Sequence, residues 1–303
     1  MIKSVTITNH LGDNITLELM RPEKSGFVVK SIDGLGPVKA SISMSSSASC
    51  DGSVYNSAFM ITRDIKISLL YYQTTDETIE DIRQKSYKYF PNKQKIRLLV
   101  ETDNRTVWTE GYVEDNQPNI FSDKAGCTIT IRCPDPYLYS TNDSDTLFYG
   151  VVPIFEFPLE NTSTDKPLLD LGMIVIKDTE NVYYEGDGDI GCTIVIDAIG
   201  PISNISIYRT GTLEYMAIDT DKLTSIVGSG IDDGDTIVIE TSVGRKSIEL
   251  IRDGIHHNIL NCLDRNSTWF MLSRGDNVFN YVVGEGEGSM RLRISNKIVY
   301  YGV

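Results

Sequence analysis

Short runs of alternating apolar and polar residues constrain the fold of this 303-residue chain more than any other feature. The runs are rich in Val, Ile, Thr and Tyr, and clusters of Gly, Asn and Asp separate them, which is the pattern of half-buried β-strands. Clear examples are residues 4–8, 27–32, 64–71, 96–101, 127–132, 193–197, 236–240 and 290–294. The sequence therefore predicts a mainly β protein.

One segment, residues 75–90, has a helical period instead. Thr75 or Asp76 can cap its first turn by accepting hydrogen bonds from free backbone N–H groups, and Pro91 stops it. We therefore predict one long α-helix here. Its buried stripe comprises Ile79, Ile82, Ser86 and Tyr89.

Residues 41–60 are rich in Ser and Gly, yet they carry large apolar side chains. A segment too polar to fold alone but studded with apolar anchors is either a β-hairpin arm that binds a neighbouring subunit or a mobile surface loop. Both interpretations stay open at this stage. The candidate interface residues are Met44, Val54, Tyr55, Phe59 and Met60.

A domain boundary follows the stretch CPDPYLYS at residues 133–140. Its two prolines remove backbone donors, so the strand that reaches Cys133 cannot continue. We predict an N-terminal domain at 1–139 and a C-terminal domain at 140–303. In the second domain, the regular spacing of strand-like runs and Gly- and Asp-rich turns predicts about ten short strands. This pattern favours a β-sandwich or jelly roll.

Charge and cysteine usage limit the classes of function. The formal net charge is −14, and residues 140–303 hold 12 Lys and Arg against 25 Asp and Glu. Without a basic stripe to neutralise phosphates, a nucleic-acid-binding role is rejected. No apolar run is long enough for a membrane span or a signal peptide. The five cysteines form no CxxC pair and are interpreted as buried thiols of a reducing compartment.

We find no catalytic, metal or cofactor site in the sequence, and we predict that the protein is not an enzyme. The histidines are His10 and the adjacent His256 and His257. The sequence has no Ser or Cys in a nucleophile-elbow pattern that one of them could activate as a base. Acidic pairs such as Asp187 with Asp189 could supply oxygen ligands, but none completes a calcium loop, and they are expected in hairpin turns.

Aromatic residues leave a second interpretation open. Trp108, Trp269 and the 16 tyrosines could stack on sugar rings, although aromatic residues in a β-rich chain more often lie in strand cores or interfaces. The rival hypothesis is a carbohydrate-binding β-sandwich that recognises host-surface glycans through Trp269 or exposed tyrosines.

Several weak motifs in a fixed order carry a family likeness. They are SIDGLGPVKA at 31–40, the Ser-rich arm, RDIKISLLYY at 63–72, the helix, CPDPYLYS, and then GDTIVIETSVGRKSIELIRDG at 234–254, NILNCLDRNSTWFMLSRGDNVFNYVV at 258–283 and a final YYGV. In this order the chain resembles phage distal tail proteins, over nearly its whole length.

This resemblance implies both a fold and a set of partners. It implies a β-barrel-like ring domain with one helix and a hairpin arm, followed by a galectin-like β-sandwich. Six copies would form a ring that joins the tail tube protein to the tail-tip hub or spike protein, passes DNA, and in some members anchors receptor-binding proteins. The location it implies is the virion tail tip, assembled in the host bacterial cytoplasm, with no bound cofactor.

Overall fold

The computed structural model describes residues 1–46, 51–119, 121, 124–153, 172–286 and 288–303. The chain divides into two compact units. Unit 1 comprises Met1–Asn142 together with Val299–Val303, and unit 2 comprises Asp143–Ile298. The sequence predicted a division at 139/140. The observed first unit runs three residues further, to Asn142, and also includes the five residues Val299–Val303.

Unit 1 contains the first nine strands, the first half of a tenth, and one α-helix, α1, at Ile79–Tyr89. Every strand pair described in this unit is antiparallel. The strands are β1 (Ile2–Thr8), β2 (Asn14–Glu18), β3 (Phe27–Asp33), β4 (Ala40–Ser45), β5 (Val54–Met60), β6 (Arg63–Tyr71), β7 (Lys95–Thr102), β8 (Thr106–Asn119), β9 (Gly126–Cys133) and β10 (Leu138–Leu147).

The main sheet of unit 1 curls around a single core. Its order is β2-β1-β7-β8-β9-β6-β3, and the long strand β8 pairs with β7 along its first half and with β9 along its second. A bulge between Val113 and Asp115 lies in the half that pairs with β9, and bulges of this kind bend a strand. Leu17 from β2 and Phe27 from β3 belong to the same buried cluster, so the two end strands enclose one core as in a barrel.

Helix α1 covers this core with the predicted stripe, since Ile82 and Ser86 are buried on it. Its predicted start was wrong. The N-cap is Thr78, whose side chain accepts from the Asp81 N–H while Asp81 accepts from the Thr78 N–H, which is a reciprocal capping box. The helix therefore begins three to four residues after the proposed caps, because Thr78 and Asp81 satisfy each other's free donors.

Unit 2 contains the second half of β10, the remaining strands up to residue 298, and a second helix, α2, at Thr220–Val227, which the sequence did not predict. The strands are β11 (Tyr149–Pro153), β12 (Gly172–Ile176), β13 (Thr179–Tyr184), β14 (Ile190–Gly191), β15 (Thr193–Ala198), β16 (Ser203–Arg209), β17 (Glu214–Ile218), β18 (Thr236–Glu240), β19 (Ser247–Arg252), β20 (Ile255–Asn258), β21 (Met271–Leu272), β22 (Gly275–Glu285) and β23 (Met290–Tyr300).

Two sheets sandwich the core of unit 2. One has the order β23-β15-β18-β19-β20 and the other β13-β22-β16-β17. Both contribute alternate residues to one buried cluster, for example Ile194 and Ile239 from the first sheet and Ile207 and Phe279 from the second. The predicted mainly β fold is confirmed, and every strand named from the sequence is present.

Candidate assembly interface

The Ser-rich arm is a β-hairpin. Strands β4 and β5 pair antiparallel with each other, and within the described residues neither pairs with a third strand. An isolated two-stranded hairpin is marginally stable in water, so it needs a surface to pack on. Of the two interpretations left open by the sequence, the hairpin is confirmed, while its binding partner stays a prediction.

The strand register divides the hairpin, as defined by β4 and β5, into an apolar face and a serine face. Residues directly opposite each other share a face, and side chains alternate along each strand. A bulge opposite Ser43 and Met44 leaves Asn56 as the extra residue and brings Met44 opposite Tyr55. The apolar face comprises Ala40, Ile42, Met44, Tyr55, Ala58 and Met60. The serine face comprises Ser41, Ser43, Ser45, Val54, Ser57 and Phe59.

The apolar face lies in solvent in the single chain. The exposed fractions of Ile42, Met44 and Tyr55 are 55%, 58% and 61%. Contiguous apolar surface of this kind is characteristic of interaction sites, because burying it against a partner releases about 25 cal/mol per Å². The apolar face is therefore a candidate surface for a partner.

The five predicted interface residues fall on both faces. Met44, Tyr55 and Met60 lie on the apolar face, whereas Val54 and Phe59 lie on the serine face. Sequence reasoning missed Ile42, although the period-two alternation of Ala40 to Ser45 would have revealed it.

A buried arginine holds the root of the hairpin. Arg63, the first residue of β6, is 1% exposed. Its guanidinium donates to the carbonyls of Gly34 at 2.5 Å and Gly36 at 2.8 Å, just before β4, and to those of Pro136 and Tyr301 at 2.8 Å each. Burial lowers the pKa of Arg63 from its usual value. The segments that enter and leave the hairpin thus meet at one buried cation.

A comparison with solved structures identifies a known protein with the same fold. The crystal structure of SPP1 Dit (gp 19.1) aligns with a TM-score of 0.64 at 12% identity, over 97% of this chain and 99% of that one. The chain has the fold of SPP1 Dit. The predicted likeness to distal tail proteins is thereby confirmed for the fold. SPP1 Dit is described as a paradigm of hub adsorption apparatus in phages that infect Gram-positive bacteria.

Two structures of the activated phage p2 baseplate align less well with the Dit fold of this chain. The one with Sr has a TM-score of 0.46 over 97% of each chain, and the one with Ca has 0.47 over 98%, both at 10% identity. No protein-family model matches the sequence, and no curated protein matches it significantly.

The thiols of this Dit fold are shielded where the structure describes them. Cys127, Cys133, Cys192 and Cys262 are free and buried, and Cys50 lies outside the described residues. Burial raises the pKa of Cys133 to about 11 and that of Cys192 to about 12. Since the thiolate is the reactive form, these groups are poor nucleophiles at neutral pH.

The acidic pairs take structural positions. Asp219 caps α2 by accepting from the N–H groups of Asp221 and Lys222. Asp235 accepts from the Asp232 N–H and from the Arg252 guanidinium, 2.8 Å away at Nε. Within the described ranges, no three His, Cys, Asp or Glu side chains converge into a metal site. No described helix is long and apolar enough to span a membrane.

Cations occupy the faces of both tryptophan rings. The Arg97 guanidinium lies 4.2 Å from the ring centroid of Trp108, and the Lys246 ammonium lies 5.4 Å from that of Trp269. Cation–π pairs of this kind stabilise the ring in place. Lys246 thus competes with a sugar for one face of Trp269, and this geometry does not specifically favour the carbohydrate-binding hypothesis.

Proposed function

We propose that this chain is a structural protein of a phage tail tip, of the distal tail or baseplate-hub type. The observation that carries the proposal is the alignment with SPP1 Dit over 97% of this chain and 99% of that one. Both units are thus accounted for by one known architecture. The proposed role is mechanical and organisational and needs no catalytic turnover.

The apolar face of the hairpin supports self-association. It is exposed in the single chain, and its marginal two-stranded ribbon gains stability on a second copy. We propose that six copies close into a ring that joins the tail tube protein to the tail-tip hub or spike protein. Such a ring would be assembled in the host bacterial cytoplasm and reside at the virion tail tip.

The charge of the chain supports DNA passage through such a ring. Each chain carries a formal net charge of −14, and phosphate backbones are repelled by acidic surfaces. DNA would therefore pass without binding, provided that part of this charge lines the lumen.

Light scattering across a dilution series, followed by negative-stain images, tests the proposal. The expected particle has the mass of six 33.8 kDa chains and a central hole. Ile42→Asp places a charge on the apolar face and should shift the mass toward the single chain. Ser43→Asp is the matched control, because it adds the same charge on the serine face one residue away.

A single-chain mass at the highest soluble concentration would contradict self-association. Equal effects of Ile42→Asp and Ser43→Asp would contradict the role of the apolar face. Saturable binding on a glycan array that Trp269→Ala weakens would favour the carbohydrate-binding hypothesis instead.

A further inference from the structure

Residues 299–303 return to unit 1 after the chain has passed through all of unit 2. The Val303 N–H donates to the Leu35 carbonyl at 3.1 Å, and the Tyr301 carbonyl accepts from Arg63 Nη2 at 2.8 Å. Both contacts lie at the root of the hairpin, since Leu35 precedes β4 and Arg63 follows β5. The returning segment, residues 299–303, is therefore part of the structure that holds the hairpin.

Close backbone packing seats the returning segment. A Cβ added to Gly302 would lie 3.1 Å from the Gly36 Cα and from the Leu35 carbonyl oxygen. A Cβ added to Gly36 would meet nothing within 4 Å. A side chain at position 302 would therefore crowd the backbone of residues 35 and 36, whereas position 36 has open space for one.

The guanidinium of Arg63 links the returning segment to the hairpin root energetically. Its four hydrogen bonds to the carbonyls of Gly34, Gly36, Pro136 and Tyr301 compensate for burying a charge. When the Tyr301 carbonyl leaves, a buried cationic N–H loses its acceptor. Arg63 then gains by moving toward water and releases the carbonyls in front of β4.

We propose that residues 299–303 lock the root of the hairpin, and that unit 1 is competent to assemble only while this lock is closed. Residues 143–298 lie between the two parts of unit 1 in sequence, so the lock closes only after unit 2 has been synthesised. Incomplete chains thus cannot present a correctly held apolar face to a neighbour. This inference rests on the proposed self-association and adds the condition under which it occurs.

A graded series of full-length variants tests the lock. Gly302→Ala and Gly302→Val crowd the contact progressively, whereas Gly36→Ala is the matched control on the opposite side of the same contact. We expect amide hydrogen exchange in β4 and β5 to accelerate at least tenfold in Gly302→Val, by less in Gly302→Ala and not in Gly36→Ala. The associated fraction in light scattering should fall in the same order.

The two readouts separate this inference from the proposed function. Unchanged hairpin exchange in Gly302→Val would overturn the lock, whatever the mass of the particles. An unchanged mass in Ile42→Asp would overturn the docking of the apolar face, while the exchange result still decides the lock. If Gly302→Val loses its native circular dichroism spectrum, the milder Gly302→Ala decides the outcome.

Discussion

The hairpins β4–β5 and β18–β19 have similar local patterns and opposite surroundings. Each is an antiparallel pair in which apolar residues alternate with polar ones. In β18–β19, the apolar residues Ile237, Ile239, Ile248 and Leu250 are at most 1% exposed. In β4–β5, Ile42, Met44 and Tyr55 are all more than half exposed.

The difference shows what alternation determines and what it leaves open. A period of two assigns each side chain to a face of the strand pair, whatever covers that face. For β18–β19 the covering surface is the second sheet of the same unit. For β4–β5 the described part of the chain supplies no such surface, which is why we infer an external partner.

The largest expected difference is in the free energy of unfolding, between a truncation on the apolar side of β18–β19 and one on the apolar face of β4–β5. Leu250→Ala should lower the free energy of unfolding by about 2–5 kcal/mol, because it leaves a cavity in the packed core. Met44→Ala should change that of the unassociated chain by less than about 0.5 kcal/mol, since its side chain is in water. Urea denaturation followed by circular dichroism measures both, and similar losses would break the comparison.

A smaller loss of stability is expected from a substitution at the root of β18–β19, which is built differently from the root of β4–β5. Asp235 and Arg252 close the root of β18–β19 with an ion pair in which Asp235 is buried and Arg252 is partly exposed. Burial by itself would raise the pKa of Asp235, but hydrogen bonds from Arg252 and the Asp232 N–H hold it below the ordinary 3.8. Asp235→Asn should therefore cost about 1–2 kcal/mol at pH 7, with the exposed Asp233→Asn as control.

The pH dependence of this cost follows from the lowered pKa. A carboxyl whose folded pKa is depressed stabilises the protein above its unfolded pKa and loses that contribution as pH falls through the folded value. Thermal melts should show the gap between Asp235→Asn and the wild type shrinking below about pH 4. The root of β4–β5 should not share this acid sensitivity, since Arg63 binds neutral carbonyls. A gap that stays the same size from pH 7 down to the acid limit of the melts would contradict the assignment.

The smallest expected effect is on the strength of self-association, and it tests the two faces of β4–β5 against each other. Ile42→Thr and Val54→Thr both keep a β-branched side chain, so the strand preference is matched. We expect Ile42→Thr to weaken self-association about fivefold, or about 1 kcal/mol, and Val54→Thr by less than about twofold. Dilution monitored by light scattering gives both values. Equal losses would place the contact on both faces.

Most of the strands and the helix were predictable because their signals are local. Alternation located β6, β9 and β18 to within a residue or two, and the stripe of α1 lies where its period placed it. The start of α1 was missed because four residues near it, Thr74, Thr75, Asp76 and Thr78, can cap, and the sequence does not show which of them does.

The root of the hairpin could not be predicted, because its contacts join distant parts of the chain. Arg63 resembles any charged residue at the start of a strand, and its partners Pro136 and Tyr301 are 73 and 238 residues away. The division of the predicted interface residues between two faces was missed for another reason. A bulge shifts the register by one residue, and the sequence of β5 does not mark it.

The unpaired outer edges of β4 and β5 make the free chain prone to aggregation. Within the described residues, each edge presents a row of backbone donors and acceptors, without the lysines or prolines that commonly discourage stray strand pairing. Free chains that accumulate should therefore tend to aggregate through these edges. A producing cell has reason to match the supply of this chain to that of its assembly partners.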